Sequence, residues 1–208
     1  MKSILSGMRR TVAAMTSTPL SSAGIGHAPV FDREWDAQRQ FPEVADPAGY
    51  RAARIWNCKY RTLKPVAAFT GLEELAIMSI PDPDLTFLQG LGSLTYLRLL
   101  HLPKVTDLAP LAHLQNLRTL LIETPPSWDS GSKRLTVASF EPLGELRSLE
   151  NITLIGIRTP EQSLRPLERC SNLRTAWFGH LPKDEIARFH AATGCIGAYS
   201  PPPKLIRV

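Results

Sequence analysis

The stretch Leu91-Gly-Ser-Leu94-Thr-Tyr-Leu97-Arg-Leu99-Leu-His-Leu102 constrains the fold of this chain more than any other. Its leucines at 91, 94, 97, 99 and 102 do not follow the helical period of about 3.6 residues, nor simple alternation along the whole stretch. A short strand explains Leu97-Arg-Leu99, with both leucines on one face, and turns on either side explain the rest. Such a strand hides its leucines only if further copies stack beside it.

The same columns recur. The first copy is Pro47, Tyr50, Ala53, Ile55, Cys58, and the second is Phe69, Leu72, Leu75, Ile77, Ile80. After the Leu91 copy come Leu114, Leu117, Leu120, Ile122, Pro125, then Leu146, Leu149, Ile152, Leu154, Ile157. The sixth is Cys170, Leu173, Ala176, Phe178, Leu181. The starts at 47, 69, 91, 114, 146 and 170 lie 22, 22, 23, 32 and 24 residues apart.

A second motif fixes the register. Between the copies come Thr62-Leu-Lys-Pro-Val66, Asp84-Leu-Thr-Phe-Leu88, Asp107-Leu-Ala-Pro-Leu111, Ser139-Phe-Glu-Pro-Leu143 and Ser163-Leu-Arg-Pro-Leu167. Each opens with a side-chain oxygen able to cap a short helical turn. Proline within such a first turn costs little, because the early N–H groups lack intrahelical acceptors.

This pattern resembles the bacterial leucine-rich repeats of the internalin type and the related 22-residue phosphatase-regulator type, from Pro47 to Leu181. The resemblance implies an α/β solenoid of about six repeats, with a concave parallel sheet and short helical or 3₁₀ turns on the convex side. One departure stands out. The family's asparagine column is occupied here by Cys58, Ile80, Leu102, Pro125, Ile157 and Leu181. Less regular turns are therefore expected, with other backbone or water doing the work of the amide.

Four segments are expected. Residues 1–30 are rich in Ser, Thr, Ala and Gly and read as disordered. Residues 31–46 read as an N-terminal cap, with a short helix from Phe31 to Phe41 opened by Asp32, and with Phe31, Trp35 and Phe41 as its docking residues. Residues 47–181 form the solenoid. Residues 182–208 read as a capping helix, started by Asp184 and stopped by Gly194, with a stiff proline-rich spacer after it.

Charge and cysteines narrow the function. With 24 Lys+Arg against 19 Asp+Glu, the net charge of +5 supports only weak attraction to nucleic acid. No specific nucleic-acid partner is expected. The cysteines Cys58, Cys170 and Cys195 are too few and too widely spaced for a disulfide framework or zinc site, and Cys195 is the one expected to be accessible. No apolar run reaches the roughly 18 residues of a membrane span. A cytoplasmic monomer is expected, without cofactor, metal or catalytic residues; Arg9-Arg10 leaves twin-arginine export as the alternative. No nucleophile elbow, zinc-binding helix or phosphate loop occurs.

Residues between the core leucines should face the concave surface in rows. The central row is Arg54, Ala76, Arg98, Leu121, Thr153, Trp177. One flanking row is Ala52, Glu74, Tyr96, Thr119, Asn151, Thr175, and the other is Trp56, Met78, Leu100, Glu123, Ile155, Gly179. Aromatic and arginine side chains dominate binding energies, and apolar patches rimmed by charge mark binding surfaces. Tyr96, Arg98, Leu100, His101, Leu121 and Trp177 are therefore the candidate partner contacts, with Arg118 and the Trp128 loop at the rim. Removing Tyr96 and Arg98 together should abolish binding and leave stability nearly unchanged. These features point to a non-catalytic module binding a protein, with an immunity or inhibitor protein as its specific form. The alternative is an exported effector or adhesin binding a host protein; an enzyme is third.

Overall fold

The computed structural model describes residues 28–129 and 133–207. Residues 1–27, including the arginine pair, lie outside the described residues. Each copy of the motif forms one coil, a five-residue strand followed by a return over the opposite side.

The strands are β1 (Val30–Glu34), β2 (Ala52–Trp56), β3 (Glu74–Met78), β4 (Tyr96–Leu100) and β5 (Thr119–Glu123). A short helix α1 (Pro126–Asp129) and a two-residue strand β6 (Leu135–Thr136) follow. Then come β7 (Asn151–Ile155), β8 (Ile157–Arg158), β9 (Thr175–Gly179) and the helix α2 (Lys183–Thr193). Strands β1, β2, β3, β4, β5, β7 and β9 lie side by side, parallel, in one seven-stranded sheet. The second and fourth residues of each repeat strand face inward, so Leu97 and Leu99 meet Leu75, Ile77, Leu120 and Ile122 in the adjacent coils, all 0% exposed.

The return segments are 3₁₀ turns, among them Lys64–Ala68, Thr86–Leu88, Ala109–His113, Glu141–Glu145 and Arg165–Arg169. All five predicted caps form. Oxygens of Thr62, Asp84, Asp107, Ser139 and Ser163 accept the N–H two residues on, at 3.2, 3.0, 2.8, 3.0 and 3.3 Å. Two turns are capped again from the following coil. Asp82 accepts from Thr62 Oγ1 at 2.6 Å and Leu63 N–H at 2.7 Å, and Glu185 accepts Leu164 N–H at 2.6 Å.

The strand ends are more regular than the missing asparagines suggest. Trp35, Asn57, Ser79, His101, Gly156 and His180, each the residue after a strand, have positive φ. The sharp turn is thus made one position before the asparagine column. In that column Cys58 Sγ donates to Arg33 O at 3.5 Å, a backbone acceptor of the preceding coil. The coil after β5 is the exception, because the insertion leaves the sheet there. Its β6 pairs with β8 in a separate two-stranded sheet.

The predicted N-terminal helix is a strand. A helix would leave the N–H and C=O groups along the β2 edge unpaired, whereas β1 pairs with that edge over its whole length. Phe31 is buried among Phe41, Tyr50 and Phe69, at ring distances of 5.7, 5.7 and 5.1 Å. Trp35 does not dock; it is 69% exposed.

At the other end α2 caps the solenoid. Phe189 is fully buried against Phe178, and Gly194 ends the helix with φ 69°. Pro182, not Asp184, holds the N-cap position. The chain then pairs briefly with the β9 edge, where Thr175 bridges Ile196. From there it reverses across the sheet.

Candidate functional site: the concave face and the segment that crosses it

Strand register places the predicted rows together. Arg98 stands beside Ala76 and Leu121, and Thr153 beside Trp177. The added strand β1 extends the central row with Asp32 and one flanking row with Glu34. Arg54 therefore meets two carboxylates, Asp32 at 3.1 Å and Glu34 at 2.9 Å. The Trp56 ring lies under two guanidinium groups, Arg54 at 5.5 Å and Arg98 at 5.4 Å.

The rows are not open to solvent along their length. Residues 199–206, expected to be a spacer, form a strap across them. The Tyr199 hydroxyl donates to Glu123 Oε1 at 2.6 Å. Ser200 N–H donates to Thr153 Oγ1 at 3.1 Å, and the two hydroxyl oxygens are 2.9 Å apart. Three prolines follow, without N–H groups to satisfy. Then Lys204 N–H donates to Glu74 Oε1 at 2.7 Å, while Leu205 and Ile206 N–H donate to Oε2 at 2.8 and 3.1 Å. Ile206 is buried on Ala52 and Ala76, with Trp56 and Leu205 beside it.

This explains why charged groups survive burial. Glu74 and Glu123 are each 6% exposed, and a buried carboxylate is costly unless every oxygen is served. Glu74 is served by strap backbone. Glu123 is served by Tyr199 on one oxygen and by Arg98 Nε at 2.8 Å on the other. Burial disfavours the Arg98 cation, but Glu123 beside it outweighs this and raises its pKa. Burial pushes the Tyr96 phenol up to about 12. The Tyr199 phenol is raised by burial first and by its bond to Glu123 second.

The candidate residues therefore divide. Tyr96, Leu100 and Leu121 are buried, and Arg98 is committed to Glu123. His101 lies 5.5 Å edge-on to Trp128, so the insertion folds that ring back onto the solenoid. Desolvation lowers the His101 pKa. Arg118 is at the rim, paired with Glu150 at 3.2 Å. Trp177 is 45% exposed and Tyr199 47%. Thr119, Asn151 and Thr175 make a polar ladder along one flanking row, at 3.3 and 2.8 Å.

Sequence reasoning missed Glu74, Glu123 and Thr153 as anchors. The available signal was a lone carboxylate within rows of small and aromatic residues. Cys195 corrects another expectation. It is buried under α2, where its Sγ accepts from Thr193 Oγ1 at 3.1 Å, because the chain after Gly194 turns inward along the sheet edge. No cluster of metal-ligating side chains occurs among the described residues.

Stacked five-residue parallel strands, capped 3₁₀ returns and inward leucine columns decide the architecture. The chain is a leucine-rich-repeat solenoid. Among solved structures the solenoid is similar to two internalins of Listeria monocytogenes. InlF is 18% identical with a TM-score of 0.49, the match covering 62% of this chain and 35% of that one. Internalin C2 is 24% identical with a TM-score of 0.49, covering 63% of this chain and 54% of that one. A leucine-rich-repeat protein of Leptospira interrogans is 14% identical with a TM-score of 0.41, covering 73% and 43%. The solenoid thus spans about half or less of the length of these proteins. No protein-family model and no curated protein sequence matches it.

Proposed function

We propose that the solenoid is a non-catalytic protein-interaction module whose partner docks on the concave face. The observation that carries this reading is the exposed Trp177 at the end of the central row. It stands next to Thr153, where the strap begins at Tyr199 and Ser200. A half-exposed tryptophan and tyrosine on one face, with Arg118 at its rim, have the composition of a binding hot spot. Its specific form is an immunity or inhibitor protein, which covers a toxin or enzyme by shape, a role argued by analogy of fold. The unbonded thiols of Cys58, Cys170 and Cys195 support a reducing, cytoplasmic compartment.

The test is affinity capture from the native organism with mass spectrometry, comparing the natural chain with Trp177→Ala plus Arg118→Ala. A specific protein should be retained by the first and lost by the second, with the thermal midpoint unchanged. Equal capture by both would move the site elsewhere.

A further inference from the structure

The strap is bound as a ligand would be. It is held largely through groups that any extended peptide possesses, with side-chain contacts from Tyr199, Ser200 and Ile206. Four of its contacts are main-chain N–H groups donated to side chains of the sheet, one to Thr153 and three to Glu74. Pro201, Pro202 and Pro203 span the gap between these anchors. A run of prolines is already extended, so little conformational freedom is lost when it lies flat, and it brings no donors that would be left unpaired. Among the described strap residues the large apolar side chain that is fully covered is Ile206, at 5% exposure.

From this we propose that the concave face is a groove for an extended, proline-containing segment of a partner protein, and that the strap is its intramolecular occupant, displaced when that partner binds. The proposal rests on the concave face being the binding surface. The groove dictates what it accepts. Glu74 calls for three successive N–H groups after the prolines. Thr153 calls for a backbone donor before them. The nest of Ala52, Ala76 and Trp56 takes one branched aliphatic side chain. Glu123, its charge balanced by Arg98, prefers a hydroxyl donor, and Glu74 repels an acidic segment. The strap residues Lys204 and Arg207 have the matching charge. A tethered strap competes at an effective concentration of about millimolar, so an incoming segment needs further contacts, which the exposed Trp177 supplies.

The experiment opens the tether after folding. A protease site inserted between Gly197 and Ala198 of the full chain is cut in the purified protein, which leaves the strap as a separate peptide on an intact solenoid. A fluorescent synthetic peptide of residues 198–207 is then added. The cut protein should exchange its strap for the peptide and bind it at least about tenfold more tightly than the uncut protein does. A peptide N-methylated at Leu205 and Ile206, which lacks two of the donors to Glu74, should bind about a hundredfold or more weakly than the unmodified one, the loss expected for two hydrogen bonds to a charged acceptor. The uncut variant Ile206→Asp, which forces a charge into the apolar nest, should also accept the natural peptide more tightly than the uncut natural chain. Unfolding of the cut protein when its strap leaves would overturn the proposal, since the strap would then be part of the fold. So would indifference to N-methylation, or strap exchange between copies as a concentration-dependent dimer. Partner capture that depends on Trp177 but is equal in cut and uncut protein would overturn the displacement alone and leave the concave reading standing.

Discussion

Arg98 Nε donates to Glu123 Oε2 at 2.8 Å across the β4–β5 boundary, and the pair lies beneath the strap. Glu123 is thereby the joint between sheet and strap, because its second oxygen holds Tyr199. Glu123→Ala removes one acceptor from a mostly buried cation and the anchor from the strap. It should lower stability by about 3–5 kcal/mol, the range for removing one partner of a buried ion pair. Urea unfolding measures the loss, and hydrogen exchange should quicken at Lys204–Ile206. Tyr96→Ala with Arg98→Ala should lower stability, against the expectation from the sequence alone, since Tyr96 is 6% exposed and Arg98 balances Glu123. Leu97→Ala, an inward truncation in the same strand, should cost about 2–5 kcal/mol. It should leave strap exchange rates unchanged relative to global unfolding, so the two classes of variant separate.

Alkaline pH should loosen the solenoid from the strap side. Tyr96 is raised from 10.0 to about 12 by burial, and Tyr199 is raised by burial and Glu123. Tyr60, buried beside Asp36, is raised as well, by desolvation first and by its hydrogen bond to Asp36 second. A raised phenol pKa means the folded chain keeps a proton that the unfolded chain has released. Its stabilising contribution is complete below pH 10 and falls as the pH rises from about 10 toward 12. Urea midpoints taken across that window should decline, and Tyr199→Phe should flatten the slope. A slope unchanged by Tyr199→Phe would assign the effect to Tyr96 and Tyr60.

The sequence carried most of the solenoid because its core is repetitive. Leu91, Leu94, Leu97 and Leu99 are all 0% exposed, and the caps opened by Thr62, Asp84, Asp107, Ser139 and Ser163 all form. Strand β1 was illegible for a physical reason. It buries one side chain, Phe31, and its charged Asp32 and Glu34 are there for Arg54, a partner 22 and 20 residues away. The strap was illegible for another. Most of its contacts are main-chain donors, which leave no pattern in side-chain identity; the side-chain contacts of Tyr199 and Ser200 are single residues without a repeat, and its prolines read equally well as a spacer. The rows of the concave face were read correctly, but their exposure depends on a segment about 130 residues distant from Glu74 along the chain.

Gly156 offers a test of the turn position. It has φ +71°, in the column where Asn57, Ser79, His101 and His180 also have positive φ. Those residues tolerate the conformation, so backbone strain alone would make Gly156→Ala mild, at about 1 kcal/mol. Space is the second constraint. A Cβ here would fall on Thr124 Oγ1, which donates to Ile155 O at 3.3 Å in this coil. Thr124 is buried, at 5% exposure. Gly156→Ala should therefore cost more than strain alone, about 2–4 kcal/mol with the overpacking included. Thr124→Ala in the same chain should recover the overpacking share and leave the strain. The double-mutant cycle should then give a coupling of about 1–3 kcal/mol, as expected for residues in direct contact. Additive losses in urea unfolding would mean that Thr124 can move aside and that the turn, not the packing, requires glycine.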